Sequence, residues 1–149
     1  MAKGRILLAH GNADCQTIYG SVLTHAGYDL DIASDVDSAL RRLGEQSYDV
    51  VVADLYLPSS DDECLLRRMR HGPSASHIPV VVLTGWSTEA HRQVALEEDA
   101  DEFLSLPTRP RELVVAVEAI MEHPRRMSRA TREKQPIAGD QDRPMDLSS

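Results

Sequence analysis

The side chains best placed for chemistry follow four short apolar segments of the chain. His10 follows RILLA, Asp54 follows YDVVVA, Thr84 ends IPVVVLT, and Leu106 follows EFLS. If these segments are parallel strands of one sheet, their carboxyl ends lie at the same edge, where ligands bind in open α/β sheets. The sequence therefore predicts a site that gathers one carboxylate, one hydroxyl, one imidazole and one aliphatic side chain.

The remaining reactive side chains form no pattern typical of an enzyme or a metal site. Cys15 and Cys64 are far apart and fit no C-x-x-C motif, so we expect both to be ordinary helix residues. His10 and Asp54 alone would give a transition metal only two ligands, so we expect His10 to be a plain polar loop residue. No nucleophile is recognisably paired with a base, and we predict that the chain is not an enzyme.

Strand and helix patterns alternate along the chain. The strands are short apolar runs, typical of strands buried on both faces, and the helices show apolar side chains at helical spacing. Five strands that alternate with helices predict parallel pairing through right-handed crossovers, with helices on both faces of one sheet. The predicted strands are Arg5–Ala9, Asp29–Ala33, Tyr48–Leu55, Ile78–Thr84 and Glu102–Ser105; the predicted helices are Ala13–Ala26, one capped by Ser34 or Asp35 and running to about Gln46, about Asp61 to His71, Thr88–Glu98 and Arg109–Glu122.

The first helix shows how this spacing assigns a buried face. Ile18, Val22 and Leu23 recur at helical spacing and are predicted to face the core, and Gly27 stands where a helix stop belongs. Aromatic residues make up only 4% of the chain, against 42% for all hydrophobic residues. The core should therefore be built from Val, Leu, Ile and Ala.

Charge divides the chain into an acidic body and a mildly basic end. Residues 1–122 carry 10 basic and 20 acidic side chains, a net of −10, and residues 123–149 carry 6 basic and 4 acidic, a net of +2. We predict one domain over residues 1–122 and a disordered polar tail over residues 123–149, where helical periodicity stops and prolines recur. An acidic body argues against nucleic-acid binding, and the basic run Arg125–Lys134 is expected to be solvated.

The chain carries no sequence signal for export or for membrane insertion. No apolar run approaches the ~18 residues that a membrane-spanning helix needs. The apolar part of MAKGRILLAH is too short for a signal peptide. We therefore expect a cytoplasmic protein that does not bind membranes.

Three segments together resemble the receiver domain of bacterial response regulators: ADLYLP, PVVVLTGW and DADEFLSLPTRPREL. Each segment alone is a weak signal, but their order and separations are specific, and the agreement extends over residues 5–122. The resemblance implies a doubly wound, flavodoxin-like α/β fold. Its five-stranded parallel sheet would have the strand order 2-1-3-4-5, with five helices.

The resemblance also implies roles for individual positions. Asp54 matches the aspartate that receives phosphate from a histidine kinase, and Thr84 matches the hydroxyl residue that turns towards the phosphoryl group. Phe103 occupies the place of an aromatic residue that switches between buried and exposed states. Pro107 matches a proline whose preceding peptide bond is often cis, here Leu106–Pro107.

Three positions depart from the family pattern. His10 and Gly11 stand where the family has adjacent acidic residues that hold Mg²⁺, and Leu106 stands where it has a lysine that bridges to the phosphoryl group. Mg²⁺ prefers hard oxygen ligands, imidazole is a poor ligand for it, and phosphoryl transfer depends on cations that neutralise the moving charge. We therefore expect no cofactor, and the departures argue against Mg²⁺ binding and against phosphorylation.

Two functions fit this combination of fold and site. The first is an atypical receiver in two-component or phosphorelay signalling: a phosphorylation-independent protein-interaction module, held in one state, that uses helix four, strand five and helix five. The second is a working phosphoacceptor that a histidine kinase phosphorylates on Asp54. His10, Gly11 and Leu106 favour the first. The expected partner is a histidine kinase or another signalling protein.

One residue, Trp86 in the loop after strand four, is a candidate anchor for a partner. An exposed ring there would bind a partner, whereas a folded ring would cover the apolar patch near Leu106, and both interpretations stay open. A homodimer stays open as well. Symmetric pairing through a basic residue on helix five is not expected, because that stretch reads Val115, Ala116, Val117 and Glu118.

Overall fold

A computed structural model describes residues 2–60, 63–73, 75–86 and 88–123. From residue 124 onward, the tail predicted to be disordered lies outside the described residues, together with its basic run Arg125–Lys134. Asp61, the predicted start of the third helix, lies outside them too.

Five strands form the sheet: β1 (Arg5–Ala9), β2 (Asp29–Ala33), β3 (Val50–Ala53), β4 (Val80–Thr84) and β5 (Glu102–Ser105). All neighbours pair in parallel, in the order β2-β1-β3-β4-β5, which confirms the predicted doubly wound α/β fold. Ala9 pairs with Ala53, and Thr84 pairs with Ser105. The carboxyl ends of these strands therefore lie together at one edge of the sheet.

Five helices accompany the strands, four between successive strands and the fifth after β5: α1 (Ala13–His25), α2 (Val36–Glu45), α3 (Leu65–His71), α4 (Glu89–Glu97) and α5 (Pro110–Glu122). The side chains of Asn12, Asp35 and Thr88 accept backbone N–H bonds in the first turns of α1, α2 and α4, as N-cap residues do. Gly27, with a φ of 108°, follows α1 as the sequence indicated. Within the described part of the chain, none of these helices is long and apolar enough to cross a membrane.

The third helix begins later than the sequence predicted. Residues 63 and 64 are not helical, and α3 starts at Leu65. The Sγ atom of Cys64 accepts the backbone N–H of Arg67 at 3.4 Å, so Cys64 caps the helix and is not the helix residue we expected. In the preceding loop, the hydroxyl of Ser60 donates to Asp37 at 3.1 Å. Such side-chain bonds compete with helix formation and account for the later start.

The core lies in two layers, one on each face of the sheet. Alternate side chains of β3 enter opposite layers: Val51 packs beneath α2, α3 and α4, whereas Val50 and Val52 pack beneath α1 and α5. The largest fully buried side chains are Leu, Ile, Val and Met, so the core is mainly aliphatic as the composition predicted, although it also contains Tyr19, Tyr28, Tyr48 and Phe103.

One core prediction is wrong. Ile18 is 50% exposed, whereas Leu23 is buried as predicted and α1 buries Tyr19 and Gly20 beside it. A Cβ atom at Gly20 would lie 3.1 Å from a methyl carbon of Leu30, so the missing side chain lets α1 approach β2 closely. The buried face of α1 therefore centres on Gly20, and Ile18 lies outside this face.

A buried arginine near the end of α3 joins this helix to the segments that precede β4 and β5. The side chain of Arg70 is 5% exposed, and its Nη2 lies 3.0 Å from Asp101 Oδ2. Its Nε lies 4.0 Å from Asp99 Oδ2. The guanidinium also donates to the backbone oxygens of Ser76, Ile78 and Asp99, at 3.3, 2.7 and 3.1 Å. No sequence pattern signalled this cluster.

Candidate functional site

Backbone hydrogen bonds carry the strand-end residues to one edge of the sheet. The N–H groups of His10 and Asp54 continue the pairing of β1 with β2 and with β3, through bonds of 3.0 and 2.9 Å. The N–H of Leu106 donates to the carbonyl of Thr84 at 2.8 Å and continues the pairing of β5 with β4. The structure thus brings to one edge the four residues that the sequence placed there.

A chain of hydrogen bonds runs from the carboxylate to the loop after β4. The hydroxyl of Thr84 is fully buried, donates to Asp54 Oδ1 at 2.5 Å and accepts the backbone N–H of Trp86 at 3.1 Å. Because a hydroxyl has one proton, its donation to Asp54 fixes the side-chain rotation and leaves a lone pair for Trp86. The backbone of this loop is thereby tied to the carboxylate.

His10 is a buried member of the site. The residue is 3% exposed, and its Nδ1 accepts the backbone N–H of Asn12 at 3.2 Å. The proton of a neutral ring then resides on Nε2. This atom faces Asp54 Oδ2 at 3.7 Å, too far for a hydrogen bond, and has no hydrogen-bond partner among the described residues. His10 lies in the loop after β1, as expected, but its ring is enclosed beside the carboxylate, which the sequence did not signal.

The adjoining residues of the site differ in burial. Gly11 is exposed, and a Cβ atom built there would lie 3.4 Å from Pro58 Cδ, an ordinary contact. No steric constraint therefore requires glycine at this position. Leu106 is partly buried and packs against the core layer beneath α1 and α5. The peptide bond between Leu106 and Pro107 is cis, as the resemblance implied.

The arrangement of strands and strand-end residues agrees with a known family. A family model described as the response regulator receiver domain matches residues 6–118. The chain belongs to this family. The matched residues include the whole strand-end site of the receiver.

Curated relatives of this receiver include transcriptional regulators. It is similar to the phosphate regulon transcriptional regulatory protein PhoB of Escherichia coli, with 32% identity over 117 residues that cover 78% of this chain and 51% of PhoB. It is also similar to the transcriptional regulatory protein GltR of Pseudomonas aeruginosa, with 31% identity over 121 residues that cover 80% of this chain and 50% of GltR. The chain therefore spans about half the length of these curated relatives.

Solved receiver structures share the fold. The receiver domain of the sensor histidine kinase PA1611 from Pseudomonas aeruginosa, solved with a magnesium ion coordinated in its active site cleft, has a TM-score of 0.73 at 26% identity; the match covers 81% of this chain and 99% of that one. A CheY-like receiver domain protein from Methanospirillum hungatei has a TM-score of 0.72 at 20% identity, with coverage of 80% and 94%. Both likenesses support the receiver fold.

The donors at the strand ends of this receiver do not fit Mg²⁺. Asp54 supplies a carboxylate whose Oδ1 already accepts the Thr84 hydroxyl. His10 offers an imidazole, which is a poor Mg²⁺ ligand, and Gly11 offers no side chain. Over residues 2–60, 63–73, 75–86 and 88–123, no group of three or more His, Cys, Asp or Glu side chains is arranged to hold a metal ion.

A thiol close to the site is also unsuited to chemistry. Burial raises the pKa of the Cys15 thiol, and the negative charges of Asp54 and Asp14 raise this pKa further. The thiolate is the nucleophilic form of cysteine, so a raised pKa lowers the fraction of Cys15 in that form. Cys15 lies within α1, as the sequence predicted.

The two positions matched to the family's switch both lie inward. Thr84 is fully buried, and Phe103 is 8% exposed. The guanidinium carbon of Arg92 lies 5.3 Å from the centroid of the Phe103 ring. A cation over an aromatic face is attracted to it, so Arg92 of α4 helps to hold Phe103 in the buried position.

Trp86 lies exposed in a group of aromatic rings. Its side chain is 54% exposed, and its ring centroid lies 5.7 Å from that of Tyr56 and 5.5 Å from that of His91. The rings of Tyr56 and His91 are themselves 5.5 Å apart. Both partners of Trp86 escaped prediction. Only their positions could have indicated the contact: Tyr56 follows Asp54 by two residues, and His91 lies in the first turn of the helix after Trp86.

Replacing Thr84 with valine should lower the free energy of unfolding by about 1–3 kcal/mol, because the partly buried carboxylate of Asp54 and the N–H of Trp86 both lose a partner. Thr84→Ser keeps the hydroxyl and should lose only about 1 kcal/mol from the missing methyl group. Urea unfolding followed by Trp86 fluorescence measures both variants. Equal stability of Thr84→Val and the unaltered protein would contradict the hydrogen-bond chain.

Proposed function

We propose that this receiver is a phosphorylation-independent protein-interaction module held in a single state. The observation that carries the proposal is the buried Thr84 hydroxyl, bonded both to Asp54 and to the backbone of Trp86. The resemblance implies that, in other receivers, the hydroxyl matching Thr84 turns towards a phosphoryl group on the aspartate that matches Asp54. Here the carboxylate of Asp54 itself holds the hydroxyl in the inward position.

The burial of Phe103 supports the same proposal. The matching aromatic residue of the family switches between exposed and buried states, and Phe103 lies buried beneath Arg92. A module whose Thr84 and Phe103 already lie inward needs no phosphoryl group to reach that arrangement. All molecules are then in the state that binds, so the apparent affinity for a partner is not lowered by molecules in a second, non-binding state.

The charges of the site give a further argument against phosphoryl transfer. Phosphoryl transfer depends on cations that neutralise the oxygens as charge moves. Leu106 and Gly11 supply no charge, and the Nδ1 of His10 is occupied as an acceptor of the Asn12 N–H. These residues leave Asp54 without the metal and lysine that the resemblance would require.

A protein is the partner that this receiver favours. Residues 1–122 carry a net charge of −10, which opposes binding to nucleic-acid phosphates. PhoB and GltR are transcriptional regulatory proteins by name, and the chain matches about half of their length. For this region we propose binding to a histidine kinase or to another signalling protein.

A working phosphoacceptor is the second candidate function. The side chain of Asp54 remains 16% exposed, so a phosphodonor has some access to it. The similar PA1611 receiver was solved with magnesium in its active site cleft. In this alternative, a histidine kinase phosphorylates Asp54 with an unusual metal dependence.

Titration with MgCl₂ tests the proposed function. We expect no saturable change in Trp86 fluorescence below about 1 mM Mg²⁺, a dissociation constant that corresponds to ~4 kcal/mol. The double variant His10→Asp, Gly11→Asp is the matched positive control, because it supplies two carboxylates beside Asp54 and should show saturable binding. Saturable binding by the unaltered protein in this range would contradict the proposal and favour the second candidate.

A further inference from the structure

We propose that Tyr56, Trp86 and His91 form the surface on which the receiver docks an arginine-bearing segment of its protein partner. We call these three residues the aromatic triad. The inference rests on the proposed function and deepens it, because it names both the docking surface and the chemistry of the partner. Three separate parts of the chain build the triad: the loop after β3, the loop after β4 and the first turn of α4.

The distribution of aromatic residues singles out this place. The chain has 4 Tyr, 1 Trp and 1 Phe, and Tyr56 and Trp86 are the two that lie exposed, at 46% and 54%. These two rings meet at a centroid distance of 5.7 Å and an interplanar angle of 88°. Exposed aromatic residues gathered at one point are typical of interface anchors. The remaining aromatic residues are buried in the core: Tyr19, Tyr28, Tyr48 and Phe103.

The triad is held in place by the fold itself. The backbone N–H of Trp86 donates to the Thr84 hydroxyl at 3.1 Å. The ring Nδ1 of His91 bonds the hydroxyl of Thr88, the N-cap of α4, at 2.6 Å. Tyr56 lies between two buried leucines of the loop after β3. A preformed surface loses little loop and side-chain entropy on binding, which favours its use for docking.

The charges around the triad favour a cationic partner. Residues 1–122 carry a net charge of −10. Glu89, in the same helical turn as His91, is exposed. Arg92, which follows His91, is engaged over the ring of Phe103 at 5.3 Å. The faces of indole and phenol rings also carry negative potential that attracts cations. A basic segment would therefore meet both exposed ring faces and a negative field.

Arginine fits this surface better than lysine does. A guanidinium is planar, stacks on aromatic faces and is more weakly hydrated than an ammonium group. The rings of Tyr56 and Trp86 meet at 88°, and those of Tyr56 and His91 meet at 78°. Such edge-to-face contacts cover only one face of a ring, so a ring face stays available for stacking.

The test titrates the full chain with an acetylated, amidated octapeptide of alternating arginine and alanine. Trp86 is the single tryptophan of the chain, so the tryptophan fluorescence reports binding at this residue. We expect saturable binding that weakens as NaCl is added, because exposed charges are screened by salt. A lysine–alanine octapeptide of equal charge should bind about threefold more weakly, and a glutamate–alanine octapeptide should not bind.

Side-chain variants locate the binding on the triad. Tyr56→Ala removes one exposed ring and should weaken binding of the arginine peptide about threefold to tenfold. Ile18→Ala is the matched control, because it removes a side chain that is 50% exposed on α1 and should leave the affinity unchanged. A fluorescein label on the peptide gives a second readout, with which Trp86→Ala should show a loss at least as large as that of Tyr56→Ala.

Two results would overturn the inference: equal affinity for the arginine and lysine peptides, or an affinity in Tyr56→Ala that matches that of the unaltered protein. Failure of this inference is distinguishable from failure of the proposed function. The Mg²⁺ titration addresses the strand-end carboxylate, whereas the peptide titration addresses exposed rings in Mg²⁺-free buffer. If the unaltered protein binds Mg²⁺ and also binds the arginine peptide through Tyr56, the docking surface stands and the proposed function fails.

Discussion

Replacing Arg70 with alanine should lower the free energy of unfolding by about 3–5 kcal/mol, the loss typical of removing one partner from a buried ion pair. The Arg70 side chain is 5% exposed and lies 3.0 Å from the carboxylate of Asp101. Asp101 also accepts the backbone N–H of Val80 at 2.7 Å, so it is held in place when Arg70 is removed. The variant therefore removes the cation beside the buried carboxylate of Asp99, whose Oδ2 lies 4.0 Å from Arg70 Nε, and it removes the donor to three backbone oxygens.

Urea unfolding followed by circular dichroism measures this loss. Arg41→Ala is the matched control, because Arg41 is exposed on α2 and its removal should change stability by less than about 0.5 kcal/mol. Arg70→Lys keeps the charge but lacks the planar group of donors, and an intermediate loss is expected. A loss in Arg70→Ala no larger than that in Arg41→Ala would contradict the buried cluster.

The sheet could be predicted because its strands are buried on both faces. The Val-Val-Val runs of β3 and β4 lack polar alternation, and this pattern is typical of central strands in a parallel sheet. Right-handed crossovers then leave few topologies. The strand order came from the family resemblance, because hydrophobic periodicity does not show which strands are neighbours.

Helix boundaries and buried faces were harder to predict, because contacts between distant residues decide them. The late start of α3 depends on the capping by Cys64 and on the loop bond from Ser60 to Asp37 of α2. The exposure of Ile18 depends on the close approach of α1 to β2 at Gly20. Neither effect is visible in the spacing of apolar residues along one helix.

The candidate site, like the fold, could be predicted from the sequence only in part. His10, Asp54 and Thr84 could be placed at one edge because a parallel sheet gathers its strand ends there whatever their side chains are. The burial of His10 and the ring contacts of Trp86 depend on the paths of loops, which no local pattern specifies. Arg70 escaped prediction because an arginine on a short helix is usually solvated.

Small phosphodonors such as acetyl phosphate should leave Asp54 unmodified, whereas a rebuilt pocket should react at least about a hundredfold faster. The rebuilt protein carries His10→Asp, Gly11→Asp and Leu106→Lys. The two carboxylates supply hard oxygen ligands for Mg²⁺, and the lysine supplies a cation for the phosphoryl oxygens. The fold has room for the change at Gly11, whose added Cβ would lie 3.4 Å from Pro58 Cδ.

Intact-mass spectrometry in buffer with MgCl₂ measures the reaction, as the gain of one phosphoryl group. Asp54→Asn in the rebuilt background is the control, and it should abolish the mass gain if Asp54 is the acceptor. The backbone of residue 106 keeps its bond to the Thr84 carbonyl in every variant, so the inward Thr84 hydroxyl should remain next to the acceptor. A mass gain on the unaltered protein under the same conditions would show that Asp54 reacts without the three restored side chains, and the working phosphoacceptor would then be the function of this receiver.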